Sequence, residues 1–240
     1  MEKREVFKDP ELADDLIISR YLDLPKFIDL LRTNELHLEP AVNFDDRLEG
    51  TLPESIREDM RSHLDKNKYD KSIEELEFER KVRTNLSCWT IGPEDNMALW
   101  KIYGGSSQSV AISTTVRHLI TAAFEWCSEG RVQIKKVRYI NHAGELPEGV
   151  YSLDEHIFGF KHIAYSYERE VRVILTRPYG ALKKSLRLPI VFNDFAMKIT
   201  VSPEAGEWFY NLVTDISLKY SVTVPVRKSE LVYLIEKAKK

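Results

Sequence analysis

A chain of 240 residues, 43% hydrophobic and 30% charged, has the composition of a globular protein long enough to bury a sizeable core, not that of a disordered one. Its formal net charge of -3 is spread along the chain, which excludes a broad electrostatic footprint for nucleic acid while leaving room for a local basic groove. Two cysteines without metal-ligand spacing, Cys88 and Cys127, a polar N-terminus and no bilayer-length apolar stretch point to buried thiols, no membrane and the cytoplasm.

The first predicted strand is Leu16-Ile17-Ile18-Ser19-Arg20-Tyr21. Asp23 caps a following helix with Pro25 in its first turn, and Leu24, Phe27, Ile28 and Leu31 form its buried stripe. Leu36-His37-Leu38 returns to extended chain. The charge-dense stretch from about Glu54 to Arg83 reads as two solvent-facing helices. Ser87-Cys88-Trp89-Thr90 reads as a strand, and Asn96 caps a short helix carrying Met97, Trp100 and Tyr103 that ends at Gly104-Gly105. Val110-Ala111-Ile112 is a buried strand closed by Ser113-Thr114-Thr115. The next helix carries Val116, Leu119, Ile120, Ala123 and Cys127 on one face and stops at Gly130.

Arg131 to Ile140 alternates as a strand, Leu153 to Ala164 reads as a helix, and Tyr167 to Leu175 is the clearest strand of the second half. Leu186 to Phe192 and Met197 to Val201 follow as strands, then an amphipathic helix between Pro203 and Tyr220. Without regular strand-helix alternation the fold class is α+β, with mixed or antiparallel sheets and peripheral helices. No linker interrupts the chain, so one domain over 1-240 is expected. It comprises a strand-helix unit at 16-50, a charged helical insertion at 54-84, a β-rich core at 86-202 and C-terminal helices and a strand at 203-240.

In a strand from Tyr167, the side chains of Glu168, Glu170 and Arg172 share one face, neighbours roughly 7 Å apart. Paired carboxylates raise each other's pKa and the guanidinium lowers it, so one stays ionised while the other exchanges a proton. The competing reading, favoured on the strand alone, is a solvated face paired with neighbouring strands. Arg20 is shaped to fork onto a phosphate or carboxylate, or is a surface arginine. Ser113 and Thr114 can orient a ligand, while Thr114 or Thr115 can cap the next helix. In the loop Asn43 to Gly50, Asp46 and Glu49 bind a ligand or hold nearby cations. Met97, Trp100, Tyr103 and Trp89 read first as core, second as an aromatic wall for a flat ring. The histidines lack metal spacing, so no metal is predicted, and the chain has no phosphate-binding loop or G-x-G-x-x-G.

Together the pieces resemble the bacterial domain-of-unknown-function family 2971. The matching run is Arg20-Tyr21, Phe44-Asp45-Asp46-Arg47-Leu48-Glu49-Gly50, Ser87-Cys88-Trp89, Met97 to Tyr103, Val110-Ala111-Ile112, Lys161 and Glu168-Arg169-Glu170-Val171-Arg172. Proline is usual where this chain has Arg47.

The order arginine, Ser-Thr, Glu-x-Glu also resembles the ADP-ribosyltransferases. That resemblance implies Arg20 on the phosphates of NAD, Ser113 on the nicotinamide side, Glu170 on the nicotinamide ribose and Glu168 beside the acceptor. Tyr21, Thr114, Trp100 and Tyr103 complete the cofactor-binding candidates, and Asp46, Glu49, Lys161 and Arg172 are further site candidates. The implied activity is transfer of ADP-ribose from NAD to an unknown protein, nucleic acid or small molecule, or NAD hydrolysis. The alternative is a non-catalytic binding or sensor module of a bacterial defence or toxin-antitoxin system. The absence of a basic stripe and of metal-ligand clustering argues against a nuclease-like or RNA-binding reading.

Overall fold

Local signals account for most of the elements in the computed structural model, which describes residues 6-67, 70-92, 95-105, 107-128, 130-144, 157-178 and 184-232. After β1 (Val6–Lys8), strand β2 (Ile17–Asp23) ends at a residue that caps helix α1 (Leu24–Thr33). The extended Asp23 accepts a hydrogen bond from the Lys26 amide at 2.8 Å, and Asn34, at φ 51°, closes the helix in the left-handed region. β3 (Glu35–Pro40) follows, then a 3-10 turn and the two charged helices α2 (Glu54–Asn67) and α3 (Ile73–Arg83). Ser72 and Glu75 form a capping box at the start of α3.

β4 (Thr84–Ile91) leads to α4 (Met97–Tyr103), capped by Asn96 and closed at Gly104. β5 (Ser109–Thr115) runs into α5 (Val116–Trp126), where the capping hydroxyl is that of Thr115, accepting from the His118 amide at 3.2 Å. The expected long strand from Arg131 breaks at Val137 into β6 (Arg131–Lys136), which pairs with β9, and β7 (Arg138–Ile140), which pairs with β8.

Of the helix expected over Leu153 to Ala164, residues 153-156 lie outside the described residues. The rest is a 3-10 turn (Ile157–Gly159), strand β8 (Phe160–His162) and the start of a second 3-10 helix (Ile163–Glu168). β9 is Glu170–Thr176, shorter than expected at its start. β10 (Leu186–Pro189) stops at its proline and gives way to a one-turn helix α6 (Phe192–Phe195). β11 (Lys198–Val201), α7 (Glu207–Lys219) and β12 (Val226–Lys228) complete the described chain.

The chain forms two compact units, each built from three chain segments. The first comprises Met1–Glu11, Leu38–Cys88 and Trp126–Leu186, the second Leu12–His37, Trp89–Glu125 and Arg187–Lys240. In the first unit the strand order is β1-β6-β9-β4. β1 runs parallel to β6, β6 antiparallel to β9 with Lys135 opposite Arg172, and β3 antiparallel to β4. β7 and β8 form a parallel pair of their own. Leu52, Ile73, Leu86, Phe158 and Ile174 are among its buried core.

In the second unit β2 lies between the end of β4 and β5, and β11 and β12 follow. β2 and β5 are antiparallel over their whole length, Ile17 opposite Thr115 and Asp23 opposite Ser109. Mixed strand directions with helices between them make the class α+β.

Candidate functional site

Five of the candidate residues, from three stretches of sequence, meet in the first unit. Arg169 adopts a left-handed conformation (φ 47°), so the 3-10 helix ends at Glu168 and β9 starts at Glu170. The two glutamates therefore do not share a strand face, as expected from an unbroken strand; a tight turn joins them. What brings them together is Lys161 on β8, whose Nζ donates to Glu168 Oε2 and, at 3.1 Å, to Glu170 Oε1.

Arg172 extends the network. Its Nε donates to Glu170 Oε2 at 2.5 Å, and its Nη1 and Nη2 fork onto the two oxygens of Glu49 at 2.6 and 2.9 Å. Nη1 also donates to the Phe158 carbonyl at 3.0 Å, and the Glu170 amide donates to the Tyr139 hydroxyl at 2.8 Å. None of Glu49, Lys161, Glu168, Glu170 or Arg172 is more than 6% exposed.

Burial opposes every charge here, and the partners overcome it. Desolvation pushes the Glu170 carboxyl up, but Arg172 and Lys161 outweigh it, a hydrogen bond with Glu168 helps, and the group is held at about 2. Lys161 and Arg172, pushed down by burial, are raised by Glu170 and, for Arg172, by Glu49 as well. Burial drives the Cys88 thiol up to about 12, with Glu170 adding to the effect.

The Asn43 to Gly50 loop divides its acidic residues. Glu49 is taken by Arg172, whereas Asp46 Oδ1 accepts from the Leu48 amide at 2.9 Å and its Oδ2 is buried with no hydrogen-bond partner among the described residues. Gly50 has φ +62°, and a Cβ there would lie 2.4 Å from the Phe158 ring.

The second unit holds the cofactor-binding candidates and separates two of them. The register sets Ser19 opposite Ser113 and Arg20 opposite Ile112, and alternation sends these pairs to opposite faces of β2 and β5. The Ser19 and Ser113 hydroxyls hydrogen-bond at 2.9 Å. On that same face Tyr21 packs edge-on against Trp100, ring centroids 4.7 Å apart, with Leu99 and Ala111. Trp100 Nε1 is buried with no hydrogen-bond partner among the described residues, and the Tyr21 hydroxyl accepts from the Asn96 amide at 3.2 Å.

Arg20 points the other way, its Nη1 donating to the His37 carbonyl at 3.2 Å, into a pocket of about 210 Å³ floored by residues such as Leu36 and Ile112. Arg20 and Ser113, both cofactor-binding candidates, thus lie on opposite faces of the sheet because of one residue of strand register. Thr114 faces the Arg20 side, where its hydroxyl donates to the Phe195 carbonyl, and Tyr103 is 44% exposed at the end of α4.

Sequence reasoning missed Tyr139 beside Glu170 and Arg187 in the Arg20 pocket. Neither lies in a motif; only the tertiary pairing of β7 with β8 and the return of β10 bring them in. Among the described residues no group of three His, Cys, Asp or Glu side chains is placed to hold a metal ion, and no helix is long and apolar enough to cross a membrane.

No protein-family model matches the chain, so membership of family 2971 is not confirmed, and no curated protein matches it. Among solved structures the chain is similar to Thermus sp. 2.9 DarT in complex with NAD+, at 9% identity and a TM-score of 0.44, covering 91% of this chain and 98% of that one. It is likewise similar to Thermus sp. 2.9 DarT in complex with ADP-ribosylated ssDNA, at 8% identity and a TM-score of 0.42, covering 95% of this chain and 98% of that one.

Proposed function

We propose that the protein transfers ADP-ribose from NAD to an acceptor macromolecule, with NAD hydrolysis when no acceptor is bound. The observation that supports this is the Glu168–Glu170 pair: two buried carboxylates bridged by the Lys161 ammonium, one of them held at about 2 by Arg172 and Lys161. Glu170, held ionised by its two cations, can act electrostatically while Glu168 beside it acts as the proton-exchanging group, the division of labour that acid-base chemistry on one site requires.

When the C–N bond to nicotinamide breaks, its electron pair leaves with nicotinamide and the ribose becomes oxocarbenium-like. Glu170, ionised throughout, stabilises that positive charge electrostatically. Glu168, in its ionised form, takes the proton from the acceptor atom as it bonds to the ribose carbon. In the second unit, taken by itself, Ser113, Tyr21 and Trp100 are the cofactor-binding candidates. The buried Trp100 N–H supplies a donor for a ligand carbonyl. Arg20 has no role on that face.

The test is incubation of the purified protein with labelled NAD and a cell extract. Label transfer and nicotinamide release are expected from the wild type, with a loss of at least about 100-fold in Glu170→Gln, on the scale of a removed charge-stabilising group. Nuclease or protease digestion of the product then assigns the acceptor class.

A specific observation favours a second reading, the non-catalytic binding module. Both glutamates are paired with cations and at most 4% exposed, as in a structural ion network. No NAD binding, no transfer and no nicotinamide release would establish that reading in place of the first.

A further inference from the structure

Two histidines of the first unit lie at the start of the helix that carries Glu168 and take no part in the proposed chemistry. His162 ends β8 and caps the 3-10 helix Ile163–Glu168, its Nδ1 accepting a hydrogen bond from the Ala164 amide at 3.2 Å. Capping side chains are ordinarily oxygen acceptors, which keep that role through the neutral range. An imidazole differs, because its nitrogen accepts only in the neutral ring and both nitrogens of an imidazolium carry hydrogen. One proton on His162 therefore sets a donor against the Ala164 donor. It also adds positive charge where the free amides of the helix already point.

The surroundings offer that charge no relief. His142, 8% exposed, stacks on His162 with ring centroids 5.8 Å apart and planes at 25°. Neither of its nitrogens has a hydrogen-bond partner among the described residues. Burial first, and His162 second, hold His142 below the ordinary histidine range, against a smaller pull from Asp46. The charged groups of the neighbouring elements are engaged elsewhere. Lys161 of β8 is on Glu168 and Glu170 and over the Tyr165 ring, and Arg138 of β7 is on Glu11 at 3.4 Å. Glu54, whose amide bonds the His142 carbonyl, holds Arg61 at 2.8 Å, and the Tyr139 hydroxyl takes the Glu170 amide. His162 makes no ion pair with a carboxylate among the described residues.

The far end of the same helix is the proposed site. Glu168 is its last residue, and the Arg169 amide closes it onto the Ser166 carbonyl at 3.4 Å before β9 begins at Glu170. Its six residues make about two turns, too short a run to persist without contacts at its ends.

We propose that His162 is a pH-sensitive cap: on protonation it releases the Ile163–Glu168 helix, and Glu168 leaves its place on Lys161. The capped state holds one proton fewer than the released one, so the cap is present toward neutral pH and is lost as pH falls through the range in which histidine gains charge. The consequence for transfer rests on the reading of Glu168 as the proton-exchanging group; the cap does not.

The test is an NMR titration of the full chain from about pH 8 to pH 5, beside His162→Asn, which keeps a capping acceptor and does not titrate. In the wild type the Ala164 amide resonance is expected to move with the midpoint of the His162 ring nitrogens. The protection factors of the Arg169 and Glu170 amides fall with it by at least about fivefold, the scale of a lost cap. His162→Asn holds both through the range. Transfer of ADP-ribose in the wild type falls with the same midpoint and in His162→Asn does not, since Glu170, held at about 2, stays ionised throughout. No turnover at any pH would remove the transfer reading and leave the cap to be decided by the amides. A ring that gains its proton while the Ala164, Arg169 and Glu170 amides stay unchanged would overturn the cap, as would a ring still neutral at the acid end. An equal loss of protection in His162→Asn would overturn it too, and the wild-type titration decides whatever the fold of the variant.

Discussion

Arg172 has no exposed surface, and its guanidinium is forked onto Glu49 while also holding Glu170. Removing such a cation does more than delete two ion pairs, because it strands two carboxylates out of reach of water. Arg172→Met is expected to cost about 3–5 kcal/mol, the usual scale for a broken buried pair, read from urea unfolding. Adding Glu49→Gln to that variant should recover part of the loss. Simple additivity of the two changes would remove the coupling argued from the fork.

The same network sets a pH dependence. The Glu170 carboxyl is held at about 2, below the ordinary carboxylate value of 4.5, so the unfolded chain binds its proton more readily than the folded one. Stability from this group is therefore complete above about pH 5.5, a unit over the unfolded value, and is lost as pH falls toward 2. Glu170→Gln should flatten that acid limb in a series of urea midpoints. Cys88, pushed up to about 12, is the converse case. At pH 8 its thiolate fraction is about three orders of magnitude below that of a free cysteine, so alkylation of the native protein at Cys88 should be slower by a similar factor.

At the level of elements, sequence was most informative where one residue decides the geometry. Asp23, Asn96 and Gly104 mark helix ends by chemistry that acts over a single turn, and each does so here. It was least informative where a distant partner decides. Nothing in Tyr167-Glu168-Arg169-Glu170 announces that Arg169 takes φ 47°, since the turn is stabilised by Lys161 from another strand. The Glu168 and Glu170 pairing was thus legible in identity and wrong in geometry. Arg20 and Ser113 were legible as strand residues, but their faces depend on a register that neither strand encodes alone.

The Asn43 to Gly50 loop joins both kinds of signal. Gly50 combines a left-handed φ of +62° with a Phe158 ring at 2.4 Å from any added Cβ. Gly50→Ala is expected to cost about 2–4 kcal/mol, adding backbone strain to overpacking. A thermal midpoint within a degree of wild type would refute the steric argument, whereas a large drop relieved by Phe158→Leu would support it.

At the scale of the whole molecule, the two compact units are each assembled from three segments, so no stretch of sequence marks a boundary between them. The two units belong to a chain that crosses from one to the other five times, between β1 and β2, within β3 and β4, at the end of α5 and within β10. This arrangement makes a prediction about the second unit. Its strand β5 is flanked by β2 on one side and by β11 on the other, with Lys198 opposite Ser113 and Val201 opposite Val110. Residues 187-240 supply β11, β12 and α7, whose Ile199, Phe209 and Val213 are fully buried. A chain ending at Leu186 keeps β2 and β5 but opens one edge of β5 and removes these apolar side chains from the core. An open, hydrophobic strand edge is both unsatisfied and prone to pair with other chains. Hydrogen-exchange protection at the amides of Val110, Ala111 and Ile112 should therefore vanish in that truncation, with association at micromolar concentration. Full protection of these amides in a monomeric truncated chain would mean that β2, α1 and α4 alone bury β5, and that the C-terminal segment contributes no part of the unit's core.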